Sequence, residues 1–115
     1  MIRIRREQLD VFETAARERA IARMAERLRI ACAAATSALD DRHLRGEIEA
    51  GMAQAARYGI ENELDVTIFL ECRLDLGPDF DTRDDTAWAS AILNDETLFG
   101  EEKASLLADR DRGLW

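Results

Sequence analysis

One proline, one histidine, one lysine and two cysteines are all that 115 residues contain of those types, and each scarcity removes a class of protein. A single proline with six glycines leaves too few turn formers for a β-sandwich, which needs a turn roughly every 8–12 residues. The lone histidine, His43, cannot form a two-histidine metal site, and no serine or cysteine motif marks it as a catalytic base. Cys32 and Cys72 lack CxxC or zinc-ligand spacing, so they read as buried thiols with neither a disulfide nor a redox role. The glycines occur singly, and no phosphate-cradling loop is present. Apolar runs such as 66–70 stop well short of the ~20 residues that a membrane helix needs. The opening Met1-Ile2-Arg3-Ile4-Arg5-Arg6 is basic, but a polar helical segment follows where a secretory leader would be apolar. A cytoplasmic, non-enzymatic chain without metal or cofactor is expected.

What is present fits a soluble globular protein, with 47% apolar and 35% charged residues in a length that suits one domain over 1–115. Fifteen of the sixteen basic residues are arginine, Lys103 being the exception. With abundant alanine, that skew points to a GC-rich bacterial genome more than to a nucleic-acid binder, as does a net charge of −8, because phosphate contacts need a clustered basic surface. The charge is unevenly spread. Residues 1–57 hold eleven arginines against nine carboxylates, a net of +2, whereas 58–115 hold five basic groups against fifteen acidic ones, a net of −10. An acidic half of this kind either steers a basic partner or only aids solubility.

Hydrophobic spacing predicts an all-α fold: one compact bundle of four to five helices with a long N-terminal helix. Ile2 and Ile4 alternate with arginines as a possible extended arm over 1–5. From about Arg6 to Ala34 no glycine or proline intervenes, and Leu9, Phe12, Ala16, Ala20, Met24 and Leu28 form an apolar stripe opposite Arg17, Glu18 and Arg27. Asp40 or Asp41 can cap a second helix with Leu44, Ile48, Met52 and Ala55 inward, closing at Gly59. Asn62 reads as the cap of a third helix, with Glu63 and Asp65 in its first turn. Val66, Ile68, Phe69, Leu70, Cys72, Leu74 and Leu76 leave that helix no wholly polar face, which makes it central to the bundle or a seam between two copies. Gly77-Pro78 ends it. A fourth helix is predicted from about Asp85 to Asn94, with Trp88, Ile92 and Ala89 inward, and a fifth from near Glu101 using Leu106 and Leu107. Residues 113–115 form a frayed tail unless Trp115 docks.

The segment Leu76-Gly77-Pro78-Asp79-Phe80-Asp81-Thr82-Arg83-Asp84-Asp85-Thr86-Ala87-Trp88 is the most informative stretch. Asp79, Asp81, Asp84 and Asp85 invite a calcium reading, but an EF-hand loop starting at Asp79 would need an acceptor at Arg83, glycine at Asp84 and glutamate at Ser90. The simpler assignment is an acidic turn whose Asp84 or Asp85 caps the next helix. As a docking surface, the loop offers Asp79, Asp81, Asp84 and Asp85 as charged groups and Phe80 as an apolar anchor. For Phe80 alone, inward packing is the stronger expectation.

Arg57-Tyr58-Gly59-Ile60, Phe69-Leu70-Glu71, Leu76-Gly77-Pro78-Asp79-Phe80-Asp81 and Ala87-Trp88-Ala89 together resemble small helical proteins encoded in bacterial type VI secretion effector clusters. The similarity covers roughly 45–105, and this chain departs from it in having Thr86-Ala87 before Trp88, where that group commonly has proline. The group has no well-defined activity. The resemblance implies an adaptor or chaperone that binds an effector or spike component. Two alternatives stand beside it: an immunity protein whose acidic half covers a basic toxin surface, and a homodimeric structural module. In each case the partner is a protein, with no nucleic acid or membrane involved.

Overall fold

A computed structural model of the chain describes residues 6–113, with side chains from residue 13 onward. The arm at Ile2 and Ile4, the side chains of Leu9 and Phe12, and Trp115 lie outside that range. The described residues form helices α1 (Arg6–Ala31), α2 (Ala33–Thr36), α3 (Asp41–Ala56), α4 (Glu63–Leu76), α5 (Ala87–Leu93) and α6 (Gly100–Asp111), with a 3-10 turn over Asp84–Thr86 and no strand. The all-α expectation holds. No described helix is long and apolar enough to cross a membrane.

The helix boundaries follow from local chemistry. Arg29 reaches past the end of α1 to the carbonyls of Thr36 and Leu39, at 3.0 and 3.1 Å, and to Asp41 at 2.8 Å. It thereby supplies donors to carbonyls that the chain reversal leaves outside regular helix. Asp40 caps α3 by accepting from the His43 backbone N–H at 2.8 Å, and its carboxylate lies 2.7 Å from His43 Nδ1. Those bonds hold the Asp40 carboxyl below the usual carboxylate range, with the His43 backbone N–H as the larger cause. The lone histidine is thus a partner of the Asp40 cap. Gly59, at φ +77°, turns the chain out of α3, as a left-handed stop requires. Asn62 caps α4 by accepting from the Asp65 N–H at 2.9 Å.

α4 is the central helix. It packs against α1, α3 and α6 and buries Val66, Phe69, Leu70 and Cys72. Its apolar faces are therefore covered within one chain. Ile21, Met24 and Leu28 of α1, Leu44 and Ile48 of α3, Leu93 of α5 and Leu107 of α6 join it in one connected core. The predicted face of α1 is corrected by one position: Ile21 is buried, Ala20 only partly and Ala16 exposed. The steps 21, 24, 28 and 32 follow the helical period, and the larger Ile21 side chain gains more from burial than alanine would.

The polar flanks of α1 also meet its neighbours. Arg45 of α3 donates to both carboxylate oxygens of Glu18, at 2.5 and 2.6 Å, and Arg23 grips Glu63 of α4. These pairs are largely exposed, so each contributes little to stability, but they match helix to helix. Arg73, only 9% exposed, would be costly if unpaired. It donates through Nε to Gln54 Oε1 at 2.9 Å and pairs through Nη1 with Glu47. Among the described residues no buried side-chain polar atom lacks a partner.

At the α4–α6 contact, burial, and then the neighbouring Asp75 carboxylate, pushes the Asp111 carboxyl up to about 7. Cys32 and Cys72 are free and buried. Burial raises both thiols, Cys32 to about 11 and Cys72 further, so little reactive thiolate exists near neutrality.

Candidate protein-binding groove

The loop from Gly77 to Thr86 was the expected docking surface, and the structure divides its residues. Gly77 takes φ +107°, releasing the chain from α4. Phe80 is 0% exposed and lies tilted against Phe69, with ring centroids 5.2 Å apart. Asp81 is 5% exposed and accepts a 2.7 Å hydrogen bond from the Tyr58 hydroxyl. Burial, followed by this bond, pushes the Tyr58 phenol up to about 12. Gln54 Nε2 donates to the Pro78 carbonyl at 2.9 Å, and Thr86 Oγ1 to the Phe80 carbonyl at 2.6 Å. The loop is therefore bolted to α3 and to itself. Phe80 is a core residue, as inward packing required, and cannot act as a surface anchor in this conformation. Asp81 is likewise occupied.

Asp79, Asp84 and Asp85 remain exposed. Arg83 bridges two of them, through Nη1 to Asp79 at 2.9 Å and through Nε to Asp85 at 2.7 Å. The Arg83 bond holds the Asp85 carboxyl below its usual range. Neither Asp84 nor Asp85 caps α5 as expected: both lie in the 3-10 turn, and Thr86, at the cap position, makes no side-chain cap bond. The described residues contain no group of three or more His, Cys, Asp or Glu placed to hold a metal ion.

The next two helices build a different kind of surface. α5 buries Ala89 and Leu93 and turns Trp88, Ala91, Ile92 and then Asp95 the other way, at the spacing of one helical face. Trp88, expected to face inward, is partly buried against the core, and its remaining surface faces α6, with the Arg110 guanidinium 5.6 Å from its ring centroid, a cation–π distance.

The wall opposite is held from behind. Gly100 opens α6 against the Gly59 carbonyl, where a Cβ would sit 2.3 Å from the oxygen. Lys103, 8% exposed, donates from Nζ to the Tyr58 carbonyl at 3.0 Å. The Glu102 carboxylate accepts the Phe99 N–H at 3.1 Å, one half of a capping box. With Lys103, Ala104 and Leu107 buried, Leu106 and Arg110 are left to face α5. Asp95 shapes the connection by accepting from the Thr97 N–H and hydroxyl at 2.9 and 2.6 Å.

The result is a groove of about 360 Å³ lined by Trp88, Ala91, Ile92, Asp95, Leu98, Leu106 and Arg110. Beside it Phe99 is 77% exposed, and Glu101 and Glu102 flank an adjoining hollow that shares Leu106. Another hollow, about 290 Å³, lies between α1, α3 and the start of α4, with the Arg17–Glu49 ion pair among its lining residues. Neither Asp75 nor Asp111 lines either of these. The α5–α6 groove was missed from sequence because Trp88 and Ile92, which do pack against the core, also leave part of their surface to line it. The usable signal was the exposed position of Phe99 beside Leu98, two apolar residues in the connection between helices.

Fold and surface together define an all-helical protein with a preformed, mainly apolar interhelical groove on its acidic half. Comparisons with protein-family models, with curated proteins and with solved structures return no match to this chain.

Proposed function

We propose that the protein is a non-enzymatic binding accessory, an adaptor or chaperone that holds another protein in the α5–α6 groove. The observation that carries this reading is the groove itself: half-buried Trp88, Ile92, Leu98 and Leu106 beside exposed Phe99. Apolar surface of that kind, rimmed by polar groups, is typical of a protein contact. A small-molecule site would bring together several placed polar groups in a deeper cavity, whereas the polar lining here is Asp95 and Arg110. The resemblance of its motifs to small proteins of type VI secretion effector clusters is the ground for proposing an effector or spike component as the partner.

An immunity protein working through the acidic half is the alternative, and the loop contributes little to such a face: of its four aspartates, Asp81 is buried on Tyr58 and two more are engaged by Arg83. A photo-crosslinking residue at exposed Ala91 tests the adaptor role in producing cells. It should trap a specific protein that also binds the purified chain and loses that binding to Ala91→Glu. Equal binding of that protein by wild type and Ala91→Glu would remove the groove from the function.

A further inference from the structure

The chemistry around the groove narrows what fits it. Each wall is a helix presenting side chains at helical spacing, Trp88 and Ile92 on one and Leu106 and Arg110 on the other. A third helix packs naturally into such a channel, its ridge of side chains lying between the two rows. Strand addition would require an open sheet edge, and the described residues contain no strand.

The rim carries the second restriction. Asp95 lines the groove, Glu96 follows it, and exposed Glu101 and Glu102 stand beside Leu106. Arg110 is the one basic side chain among the lining residues, and it sits nine residues along α6 from Glu101, about 13 Å at the helical rise. Charge is therefore complementary to a cationic ligand, most strongly at the end where α6 begins.

Resting on the groove as the binding site, we propose that its occupant is a basic amphipathic helix of another protein. Apolar residues one helical turn apart would enter between Trp88 and Leu106, and flanking arginine or lysine would meet Asp95, Glu96, Glu101 and Glu102.

The test uses the full chain with Trp115→Phe, which makes Trp88 the only tryptophan. Three synthetic peptides of about four helical turns serve as probes: one with a leucine stripe flanked by lysine and arginine, the same stripe flanked by glutamate, and the basic composition scrambled so that no stripe forms. The basic amphipathic peptide should blue-shift Trp88 emission saturably, bind about tenfold more tightly than the other two, and lose about tenfold in affinity from low to high salt. Ala91→Glu, at an exposed site, should abolish the shift with helical circular dichroism unchanged, and Glu96→Gln with Glu101→Gln should reduce both the affinity and its salt dependence. Equal binding of the basic and acidic peptides, or no saturable shift with the basic one, overturns the proposal. A dimer of this chain that Ala91→Glu dissolves also overturns it, since the occupant would then be a second copy. If a protein crosslinked at Ala91 contacts the groove through something other than a basic helix, this inference fails and the groove stands as a binding site.

Discussion

The loop of residues 77–86 and the groove between α5 and α6 are neighbours in sequence, and each sets an aromatic ring among carboxylates. They end in opposite states. In the loop, Tyr58 and Gln54 arrive from the far end of α3 and satisfy Asp81 and the Pro78 carbonyl, so the backbone can fold inward and Phe80 can reach Phe69. Around Trp88 the neighbouring polar groups bond within α5, α6 or the connection between them, as Asn94 does to Ser90 and Asp95 to Thr97, and the indole stays at the junction. An aromatic residue is taken into this core where distant side chains satisfy the polar groups beside it, because burial without them would leave costly orphans.

The largest expected effect sets the two rings against each other. Phe80→Ala should destabilise by about 3–5 kcal/mol, in the range for a fully enclosed aromatic. Trp88→Ala, at a half-buried site, should cost about 1–2 kcal/mol. Chemical denaturation followed by circular dichroism reads both, and a larger loss for Trp88 would reverse the contrast.

Tyr58→Phe should cost about 1–3 kcal/mol by depriving the buried Asp81 carboxylate of a donor. It also has a pH signature. The folded phenol is raised to about 12 by burial and Asp81, so the stabilisation is complete below the unfolded value of about 10 and is lost as pH rises through the folded one. Alkaline melting curves of the variant should lack that part of the decline. Parallel declines in both proteins would separate the loop from Tyr58.

A smaller effect concerns how firmly the groove's α6 wall is held. Asp111 is raised to about 7, so its contribution is present below the unfolded carboxyl value near 4 and lost as pH climbs through the folded one. Asp111→Asn should change the melting temperature little at acid pH and raise it relative to wild type above neutrality. A difference independent of pH would mean that Asp111 does not titrate near neutrality in the folded chain.

The smallest effect is expected at the exposed carboxylates. Asp79→Asn and Asp85→Asn should each shift stability by less than about 0.5 kcal/mol, and added calcium should leave the melting temperature of wild type unchanged. A calcium-dependent rise abolished by Asp79→Asn would restore the loop as a cation site.

What was legible in the sequence was what short-range chemistry decides. The caps at Asp40 and Asn62 and the stops at Gly59 and Gly77 each depend on residues within a turn or two, and the enclosure of the third predicted helix showed in its own lack of a polar face. What stayed hidden depends on partners far along the chain. Arg73 reads as a charge on a helix and is buried because Gln54 and Glu47 lie against it. The contact of Trp88 with α6 depends on where that helix lies, and α6 is placed by Gly100 on Gly59 and by Lys103 on Tyr58. The capping role given to Asp84 or Asp85 failed because Arg83, one or two residues away, competes for the second of these carboxylates.

Lys103 has one more consequence. It is the sole lysine of the chain, and its amine is sequestered against the Tyr58 carbonyl. Acylating reagents that seek a lysine side chain, and proteases that cut after lysine, therefore meet their target only when α6 lifts away from the turn at Gly59. The rate of such modification would be a clock for that opening, built into the native chain and requiring no introduced label.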